Sequence, residues 1–471
     1  MDFEEIQNLI SRSNAYVIAP AGHGKTEMLA DIVSACEKKV LVLTHTNAGV
    51  DAIKHRFRKK GIPLKKANVG TIAGFCQRWC YSYPNTANFD VSLSRIRESK
   101  EFYRQLYSGA KAIFEKAWAG KVISESYAAI IVDEYQDCII EQHRIFLTLN
   151  SYLPVWVLGD PLQGIFDWGD NNLVDWEKLP WTEVKIKTYP WRWKNTNPIL
   201  GSYLGKVREE ILPILKHHAV TVRLKPNDSY LKMVDPSLCT KSELLREWSK
   251  YNSVLYIADF ERSQLAFCQQ MGGIFQADEK QDCTALYDFA SRFDSSNGAE
   301  LLLYVLTFAS TCASHVSTKL KSYASHLQKG SKDFSRIKKY TEIGKALSCP
   351  DDVSYDDLLR ILKVISECKS FNFYRKELYE EMRRSIKYAR DSHMSILEAA
   401  KHIRSDASLQ KRYTGFRFLS SRTVLSKGLE YECVVIDMRG NLKAKDFYVA
   451  MTRATKMVYV ISSNTTLYFR K

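Results

Sequence analysis

Several patterns that would assign a class of protein directly are missing from this sequence. None of the 11 cysteines forms a CxxC pair or a four-ligand spacing, so no zinc or iron–sulfur site is expected. The most apolar stretch, residues 301–309, is far too short to span a bilayer. The first ten residues, MDFEEIQNLI, are acidic and lack the apolar core of a signal peptide. We therefore expect a cytoplasmic protein with buried, reduced cysteines and no membrane partner.

The composition is that of an ordinary folded protein with an excess of positive charge. Hydrophobic residues make up 45% and charged residues 26% of 471 residues, a length that predicts about three domains. The net charge is +15 and the isoelectric point about 9.1. A basic excess favours a polyanionic partner through counterion release, although many proteins are basic without one. Charge alone leaves nucleic-acid binding open.

Short apolar runs alternate with helical periodicity in two parts of the chain. The first part has predicted strands at residues 15–19, 40–43, 129–132 and 155–158, with helices at 26–37 and 49–60 between them. Such alternation predicts a parallel α/β sheet. A second alternation begins near Val254 and resumes at residues 433–437 and 457–461. We interpret the mostly helical stretch between them, from about Gln281 to Ser405, as an insertion into a second α/β domain.

Residues 19–26, APAGHGKT, follow a predicted strand and open a predicted helix, which is the setting of a phosphate loop. Glycine permits close approach of the backbone to phosphates, and the N–H groups of the helix N-terminus form an anion site. Lys25 would neutralise the β- and γ-phosphates, and the Thr26 hydroxyl would ligate Mg²⁺. The predicted nucleotide-binding residues here are Ala21, Gly22, His23, Gly24, Lys25, Thr26 and Glu27.

A second buried strand, residues 130–132, ends in two carboxylates, Asp133 and Glu134. Asp133 would hold Mg²⁺, and Glu134 would orient or deprotonate the attacking water. We expect this acidic strand to lie directly beside the strand that precedes the phosphate loop. Together the two motifs predict ATP hydrolysis with Mg²⁺.

The segment VDEYQD, residues 132–137, resembles the UvrD/Rep/PcrA group of superfamily 1 DNA helicases, and further motifs follow in that group's order. Gln7 resembles the glutamine that reads adenine in the group. The segment LGDPLQGIF, residues 158–166, resembles the motif whose glutamine, here Gln163, senses the γ-phosphate. The resemblance therefore assigns nucleotide-contacting roles on both sides of the phosphate loop.

Later motifs of the same group complete the predicted nucleotide site. Trp191 and Arg192 resemble an aromatic–arginine pair in which the aromatic stacks on adenine and the arginine reaches the γ-phosphate. The segment KGLEY, residues 427–431, resembles the motif whose glutamate, here Glu430, holds the ribose. The segment YVAMTRA, residues 448–454, resembles the last motif, which supplies a second arginine, Arg453. The resemblance thus implies that Lys25, Asp133, Glu134, Gln163, Arg192 and Arg453 act in catalysis.

The resemblance also implies contacts with single-stranded or partly duplex DNA. The DNA-contacting candidates are His45, Thr46, Asn47, Thr71, Phe166 and Trp168. Helix capping is the alternative for the threonines and the asparagine, and core packing is the alternative for Trp168. The sequence departs from the group at Gly169, at Ile72-Ala73 and ahead of KGLE, where its usual histidine is absent. These departures weaken the prediction of unwinding more than that of ATP hydrolysis.

The fold that the resemblance implies is α/β, with two RecA-like motor domains, a short first insertion and a helical second insertion. The predicted boundaries are 1–85 and 118–188 (domain 1A), 86–117 (1B), 189–280 and 405–471 (2A), and 281–404 (2B). Lys25 and Thr26 then lie on domain 1A, whereas Arg192 and Arg453 lie on domain 2A. Closure of the two domains would complete the site, so hydrolysis would depend on closure.

The implied activity is ATP-dependent translocation or unwinding on single-stranded DNA, with the 3′–5′ polarity of the family. A nucleotide- or DNA-sensing subunit that gates a partner nuclease is the alternative. Helicase subunits of Gabija-type anti-phage systems, which pair with an OLD-family nuclease, have a similarly reduced architecture. An RNA helicase is a third interpretation, disfavoured because the DEYQD and VAxTRA patterns occur mainly in DNA enzymes.

Overall fold

The structure is a computed structural model, and it describes residues 2–92, 100–166, 173–235, 240–279, 284–407 and 415–470. Contacts along the chain divide it into two compact units. The first unit comprises Met1–Tyr230, Lys443–Lys456 and Thr465–Lys471, and the second comprises Leu231–Leu442 and Met457–Asn464. This grouping puts Arg192 and Arg453 in the same unit as Lys25. The four-part division predicted from the sequence, with a boundary after residue 188, stays a prediction.

The first unit is built on a parallel sheet whose strands are short, apolar and buried. Among its described residues the strands are β1 (Asn14–Ile18), β2 (Val40–Thr44), β3 (Ala67–Thr71), β4 (Ile130–Val132) and β5 (Val155–Gly159). Their order across the sheet is β1-β5-β4-β2-β3, and every pairing is parallel. Strands β2, β4 and β5 are buried at every residue because helices cover both faces of such a sheet.

The helices of the first unit pack on this sheet through two apolar clusters. Residues 220–223 and 466–469 add an antiparallel pair of strands, labelled below as β6 and β15. The described helices that precede β6 are α1 (Phe3–Ile10), α2 (Lys25–Ala35), α3 (Asn47–Lys59), α4 (Ile72–Ser82), α5 (Pro84–Ala87), α6 (Lys100–Phe114), α7 (Ala117–Ser126), α8 (Ile140–Asn150) and α9 (Pro198–Ile211).

The position of the acidic strand differs from the sequence prediction. Strand β4, which leads into Asp133 and Glu134, does not pair with β1, which leads into the phosphate loop. Strand β5 lies between them, because it pairs with β1 on one side and with β4 on the other. The expectation that β4 lies directly beside β1 is therefore wrong. A short apolar run carries no signal for the order of strands across a sheet, so the sequence could not reveal the intervening strand.

The second unit contains another largely parallel sheet with the order β7-β14-β13-β8-β12-β9 among its described residues. Pairings of β12 and β13 with β8, of β12 with β9, and of β14 with β7 are parallel. The remaining strands in chain order are β6 (Val220–Arg223), β7 (Leu231–Val234), β8 (Val254–Ala258), β9 (Gln276–Ala277), β10 (Ala313–Ser314), β11 (Asn372–Phe373), β12 (Phe418–Arg422), β13 (Tyr431–Asp437), β14 (Ala454–Ile461) and β15 (Thr466–Phe469).

A helical segment of the second unit, residues 284–407, encloses an apolar core of its own. The helices after α9 are α10 (Lys241–Trp248), α11 (Glu261–Gln270), α12 (Thr284–Ser295), α13 (Gly298–Cys312), α14 (Val316–Lys319), α15 (Lys321–Gln328), α16 (Thr341–Leu347), α17 (Tyr355–Glu367), α18 (Lys376–Ser392), α19 (Ile396–Ala407), α20 (Thr423–Ser426) and α21 (Ala444–Met451). Helices α12 to α19 belong to this segment, whereas α21 belongs to the first unit.

Two parallel sheets covered by helices confirm the predicted α/β fold class with two RecA-like sheets. The mostly helical character predicted for residues 281–405 is also correct for the described part, apart from the two-residue strands β10 and β11. Within the ranges that the structure describes, no helix is both long enough and apolar enough to cross a membrane.

Candidate nucleotide-hydrolysis site

The carboxyl ends of the first unit's strands bring the predicted nucleotide residues to one edge. Strand β1 ends opposite the end of β5, where Ile18 is in register with Gly159. Strand β4 ends opposite β2 and β5, and β2 ends opposite β3. The segments that follow these strands carry the phosphate loop, the acidic pair, Asp160 and the DNA candidates of residues 45–47. Parallel strand order therefore assembles residues that are far apart in the sequence.

The phosphate loop joins β1 to α2 and has the backbone of an anion site. Gly22 and Gly24 adopt φ of +72° and +84°, and Gly24 is the N-cap residue of α2. These left-handed conformations are open to glycine at little cost. The loop therefore directs the N–H groups at the start of α2 toward the sheet edge, where the helix dipole favours phosphate.

A short turn, residues 191–193, lies against the phosphate loop within the first unit. The Arg192 N–H donates to the Gly22 carbonyl at 3.1 Å. A Cβ atom on Gly22 would lie 2.8 Å from the Trp193 ring, and one on Gly24 would lie 3.1 Å from the Trp191 ring. Space therefore disfavours a side chain at Gly22, whereas at Gly24 the contact would only be tight and the left-handed conformation is the main requirement for glycine.

The predicted catalytic lysine and glutamate face each other. Lys25 Nζ lies 3.8 Å from Glu134 Oε1 and 3.5 Å from the Ala19 carbonyl oxygen, and the lysine side chain is only 9% exposed. Glu134 adopts φ of +53°, which is strained for a residue that is not glycine. Such strain persists where the surroundings hold it, and it concentrates at functional sites. The neighbouring Asp133 is buried.

A chain of amide hydrogen bonds connects Glu134 to the next strand end. Gln136 Nε2 donates to Glu134 Oε2, and Gln136 Oε1 accepts from the Asp160 N–H at 3.0 Å. A Cβ atom on Gly159 would lie 2.4 Å from Gln136 Oε1, so glycine at this position makes room for the amide. Gln136 thereby fixes the carboxylate of Glu134 relative to the loop that carries Gln163.

Asp160 is completely buried and accepts hydrogen bonds from several elements of the first unit. Its Oδ2 accepts from the Ala21 N–H, the Gln163 Nε2 and the Tyr448 hydroxyl, each at 3.2 Å. Its Oδ1 accepts from Arg208 Nη2 at 2.9 Å. A buried carboxylate requires a cation and donors of this kind, because an unpaired charge in the interior is costly.

The two predicted arginines are held close to this cluster. Arg453 Nη2 lies 3.4 Å from Gln163 Oε1, and Arg453 Nε donates to the Val449 carbonyl at 3.0 Å. Arg192 Nη1 donates to the Thr452 carbonyl at 2.6 Å. Among the predicted catalytic residues, Lys25 therefore lies against Glu134. Glu134 is linked through Gln136 to Asp160, and Asp160 is hydrogen-bonded to Gln163, which lies beside Arg453. Arg192 reaches the phosphate loop through its backbone.

The aromatic residue predicted to stack on adenine is accessible. Trp191 is 55% exposed, and its ring lies 4.9 Å from Tyr189 between ring centroids. Lys194 Nζ lies 4.9 Å from the centre of the Trp191 ring. An exposed indole of this kind has a face that can stack.

Three other nucleotide candidates have different settings. Gln7 is exposed on α1. Glu27 forms ion pairs with Arg56 on α3, at 3.0 Å, and with Lys60, which caps the end of α3. Glu430 belongs to the second unit, where it lines a cavity of about 290 Å³. Their contacts with a nucleotide stay predictions.

A cavity of about 210 Å³ lies beside the phosphate loop in the first unit. Its lining includes His23, Trp193, Arg208, Tyr448 and Thr452. His23 Nδ1 lies 2.8 Å from the Ala21 carbonyl oxygen. Burial, together with the nearby charges of Arg208 and Lys25, lowers the pKa of His23 against the opposing effects of the Ala21 carbonyl and of Asp160. The imidazole is therefore neutral at neutral pH.

The predicted magnesium ligands satisfy a simple chemical test. Asp133 follows β4, its backbone N–H donates to the Leu43 carbonyl at 2.8 Å, and Thr26 lies in the first turn of α2. Mg²⁺ at phosphoryl-transfer sites needs few protein ligands because phosphates and water complete its shell. A carboxylate and a hydroxyl at the carboxyl edge of the sheet fit that need. In the described part of the chain, no group of three or more His, Cys, Asp or Glu is arranged as a metal site.

The DNA candidates divide into caps, partly buried rings and one residue outside the described ranges. Thr46 and Thr71 are the N-caps of α3 and α4, and each hydroxyl accepts a backbone N–H at 3.0 Å. His45 Nε2 lies 3.5 Å from Cys138 Sγ. Asn47 is exposed, Phe166 is partly buried, and Trp168 lies outside the described residues. Capping is thus observed for both threonines, and DNA contact stays a prediction for all six.

Four polar residues at the site were not selected from the sequence: Gln136, Asp160, Arg208 and Tyr448. Three of them lie inside recognised motifs, in VDEYQD, LGDPLQGIF and YVAMTRA, so their motif positions were a usable signal. Arg208 lies in α9 outside every motif, on a helix with other charged residues. Only the fold reveals that its side chain is buried against Asp160.

Comparisons with known proteins agree with this geometry. Residues 3–167 match the sequence model of a family described as AAA domain. The chain is 26% identical over 196 residues to the Gabija protein GajB of Bacillus cereus (strain VD045). This alignment covers 33% of this chain and 38% of GajB. It is 26% identical over 129 residues to the RecBCD enzyme subunit RecB of Buchnera aphidicola subsp. Acyrthosiphon pisum (strain APS). This alignment covers 26% of this chain and 11% of RecB. Both alignments span less than half of these relatives.

Solved structures of viral helicases are also similar over the length of the chain. Arterivirus nonstructural protein 10, a helicase in complex with DNA, has a TM-score of 0.35 at 10% identity, covering 98% of this chain and 63% of that one. The helicase of PRRSV has a TM-score of 0.34 at 11% identity, covering 98% and 55%. TM-scores this low carry no conclusion about fold or function. The sequence matches, however, confirm the resemblance of this chain to the UvrD/Rep/PcrA group of superfamily 1 helicases, and the family match over residues 3–167 includes the phosphate loop.

Proposed function

We propose that this chain is a DNA-stimulated ATPase that moves 3′ to 5′ along single-stranded DNA and separates the duplex ahead of it. The observation that carries the proposal is the hydrogen-bonded series Glu134–Gln136–Asp160–Gln163–Arg453 at the phosphate-loop edge. Such a series holds a base, a sensor and a cation in fixed relative positions. Phosphoryl transfer depends mainly on positioning and on charge stabilisation, which this arrangement is suited to provide.

Each residue has a distinct role in the proposed reaction. Lys25 and the N–H groups of the loop hold the phosphates of ATP, and Glu134 orients or deprotonates the attacking water. Arg192 and Arg453 offset the negative charge that develops on the transferred group. Mg²⁺, when held by Thr26 and Asp133, supplies further charge neutralisation between the phosphates.

The proposed link to DNA is a shared sheet edge. Thr46 follows β2, Thr71 is the last residue of β3, and Glu134 follows β4, while β2 pairs with both β3 and β4. A strand of DNA bound at the two threonines would lie beside the elements that hold the nucleotide. The basic net charge supports a polyanionic partner.

The experiment compares strand displacement on duplexes with a 3′ tail, a 5′ tail or no tail, with ATP and Mg²⁺. We expect displacement on the 3′-tailed duplex and ATP hydrolysis that rises with single-stranded DNA. Displacement on the 5′-tailed duplex alone would refute the polarity. Stimulation of ATP hydrolysis by RNA but not by DNA would refute the substrate.

A second candidate is a sensing subunit that gates a partner nuclease. The observation that favours it is the similarity to Gabija protein GajB, together with the departures from the helicase pattern at Gly169 and ahead of KGLE. In this function ATP hydrolysis reports DNA to the partner, for which we propose an OLD-family nuclease, in an anti-phage system. It predicts DNA-stimulated hydrolysis without displacement, and a stable complex with a nuclease on affinity purification. Robust displacement by the isolated chain without any such complex would argue against it.

A further inference from the structure

We propose that Arg208 is a positioning residue for ATP hydrolysis, which acts through Asp160 on Gln163 and on the phosphate loop. Arg208 lies in α9, outside every motif recognised in the sequence. This inference rests on the proposed function, because it assigns a role within the same nucleotide site.

The geometry makes Arg208 the cation that belongs to Asp160. Arg208 Nη2 donates to Asp160 Oδ1 at 2.9 Å, and the two side chains are 10% and 0% exposed. Asp160 is among the most deeply buried carboxylates of the chain, and its placement without a cation would be strongly unfavourable. Arg208 and the Leu162 N–H, at 3.3 Å, both donate to Oδ1, and Arg208 is the charged one of the two donors that orient the carboxylate.

That orientation decides where the other carboxylate oxygen points. With Oδ1 bound to Arg208, Oδ2 faces the Ala21 N–H and the Gln163 Nε2. The first contact fixes the start of the phosphate loop. The second fixes the amide of Gln163, whose oxygen lies beside Arg453 Nη2. A single carboxylate thus couples the loop, the sensor and the arginine.

Tyr448 completes the set from α21. Its hydroxyl donates to Asp160 Oδ2 at 3.2 Å, and burial raises the pKa of Tyr448, so the hydroxyl stays protonated and remains a donor. Tyr448→Phe removes one donor while it keeps the ring, and therefore offers a milder perturbation than a change at Arg208. Each of the two variants removes a hydrogen bond to the Asp160 carboxylate, one donated from α9 and the other from α21.

The test measures kcat and KM for ATP with saturating single-stranded DNA on the full chain. Arg208→Gln should lower kcat about tenfold or more, because small misplacements of catalytic groups are costly. Arg208→Lys keeps the charge without the planar fork and should recover part of that loss. In a Gln163→Ala background, Arg208→Gln should lower kcat by a clearly smaller factor than in the wild type, because the route through Gln163 is already lost and only the route through the phosphate loop remains.

A matched control separates function from stability. Arg375 in the second unit forms a buried bidentate ion pair with Glu279, at 2.6 and 2.7 Å. Arg375→Gln should lower the Tm about as much as Arg208→Gln does but leave kcat unchanged. If Arg208→Gln does not fold, Tyr448→Phe decides: it should lower kcat about threefold in the wild-type background and by a smaller factor with Gln163→Ala.

Equal losses of kcat from Arg208→Gln in the wild-type and Gln163→Ala backgrounds would overturn the inference, as would an unchanged kcat. Lys25→Ala in the same assay separates a failure of the proposed ATPase function from a failure of the positioning role of Arg208. If Lys25→Ala hydrolyses ATP normally, the proposed function itself is wrong. If Lys25→Ala is inactive while Arg208→Gln is unchanged, only the positioning role is wrong.

Discussion

Arg453 Nη2 lies 3.4 Å from Gln163 Oε1 in the first unit, and both side chains are almost fully buried. Arg453 is also anchored through its Nε to the Val449 carbonyl. A guanidinium held in this way loses little freedom when a phosphate arrives. The pairing connects the predicted γ-phosphate sensor with the predicted arginine.

Arg453→Lys is the first prediction that this contact supports. Lysine keeps a positive charge but cannot reach Gln163 and Val449 together, so we expect kcat for ATP to fall about 100-fold or more. ATP binding, followed with a fluorescent analogue, should weaken far less. Arg404→Lys, at a partly buried ion pair with Glu381 in the second unit, is the control and should hydrolyse normally. Normal turnover by Arg453→Lys would contradict the assignment.

Glu134→Gln should separate binding from hydrolysis. The amide keeps the size of the side chain but cannot accept a proton, so kcat should fall by about 100-fold or more while ATP still binds. Phosphate release and nucleotide binding measured on the same preparation give the two quantities. Glu177→Gln, at an exposed position on the same unit, should leave both unchanged. A Glu134→Gln variant that turns over normally would exclude Glu134 as the base.

The strands and helices of the first unit were largely predictable from local pattern. Strand β2 and helix α2 lie within one or two residues of the runs seen in the sequence, because a buried parallel strand is a continuous apolar run. Strand β3 was missed, since Ala67–Thr71 contains an asparagine and a glycine and is only partly buried. The order of the strands depends on long-range pairing, which explains the wrong neighbour expected for β4.

The candidate site shows the same division between local and long-range information. Lys25 and Glu134 follow strands with clear local signatures, so the sequence identified them before the fold was known. Arg208 and Asp160 are separated by 48 positions, and their pairing joins α9 to the residue that follows β5. No periodicity distinguishes a buried arginine from an exposed one on an amphipathic helix.

Gly22→Ala tests the fit of the phosphate loop. Gly22 has φ of +72°, and a Cβ atom would lie 2.8 Å from the Trp193 ring. We expect a loss of roughly 1–3 kcal/mol of unfolding free energy and weaker ATP binding, because the loop must shift. Gly205→Ala in α9, where a Cβ atom meets nothing within 4 Å, should instead stabilise the protein slightly. Equal ATP affinity in the two variants would contradict the close fit of the loop.

Asp446→Asn should stabilise the protein in a pH-dependent manner. Burial raises the pKa of Asp446 to about 6 from an ordinary value of 3.8, although Lys443 and Lys445 oppose the shift. Between pH 3.8 and about pH 6 the unfolded chain has released the proton of Asp446, whereas the folded chain still holds it. The free energy of unfolding therefore falls as the pH rises through this range, and the cost of the ionised carboxyl is complete above about pH 6. We expect a gain of roughly 1–3 kcal/mol at pH 8, about half of it at pH 5, and almost none below the unfolded pKa.

Denaturant unfolding at several pH values measures this gain. Asp288→Asn, at an exposed position on α12, is the control and should show no comparable gain. A gain of the same size at pH 8 and at pH 4 would mean that the carboxyl of Asp446 is not destabilised by its burial.

The most direct test of the account is the rate of ATP hydrolysis of the wild type and Lys25→Ala, with and without single-stranded DNA. The wild-type rate should rise with DNA, and Lys25→Ala should lose about 100-fold or more under both conditions, because the phosphate charge is left without its cation. Lys178→Ala, at an exposed position on the same unit, should match the wild type. Hydrolysis by Lys25→Ala at the wild-type rate, or a wild-type rate that DNA does not change, would contradict the account.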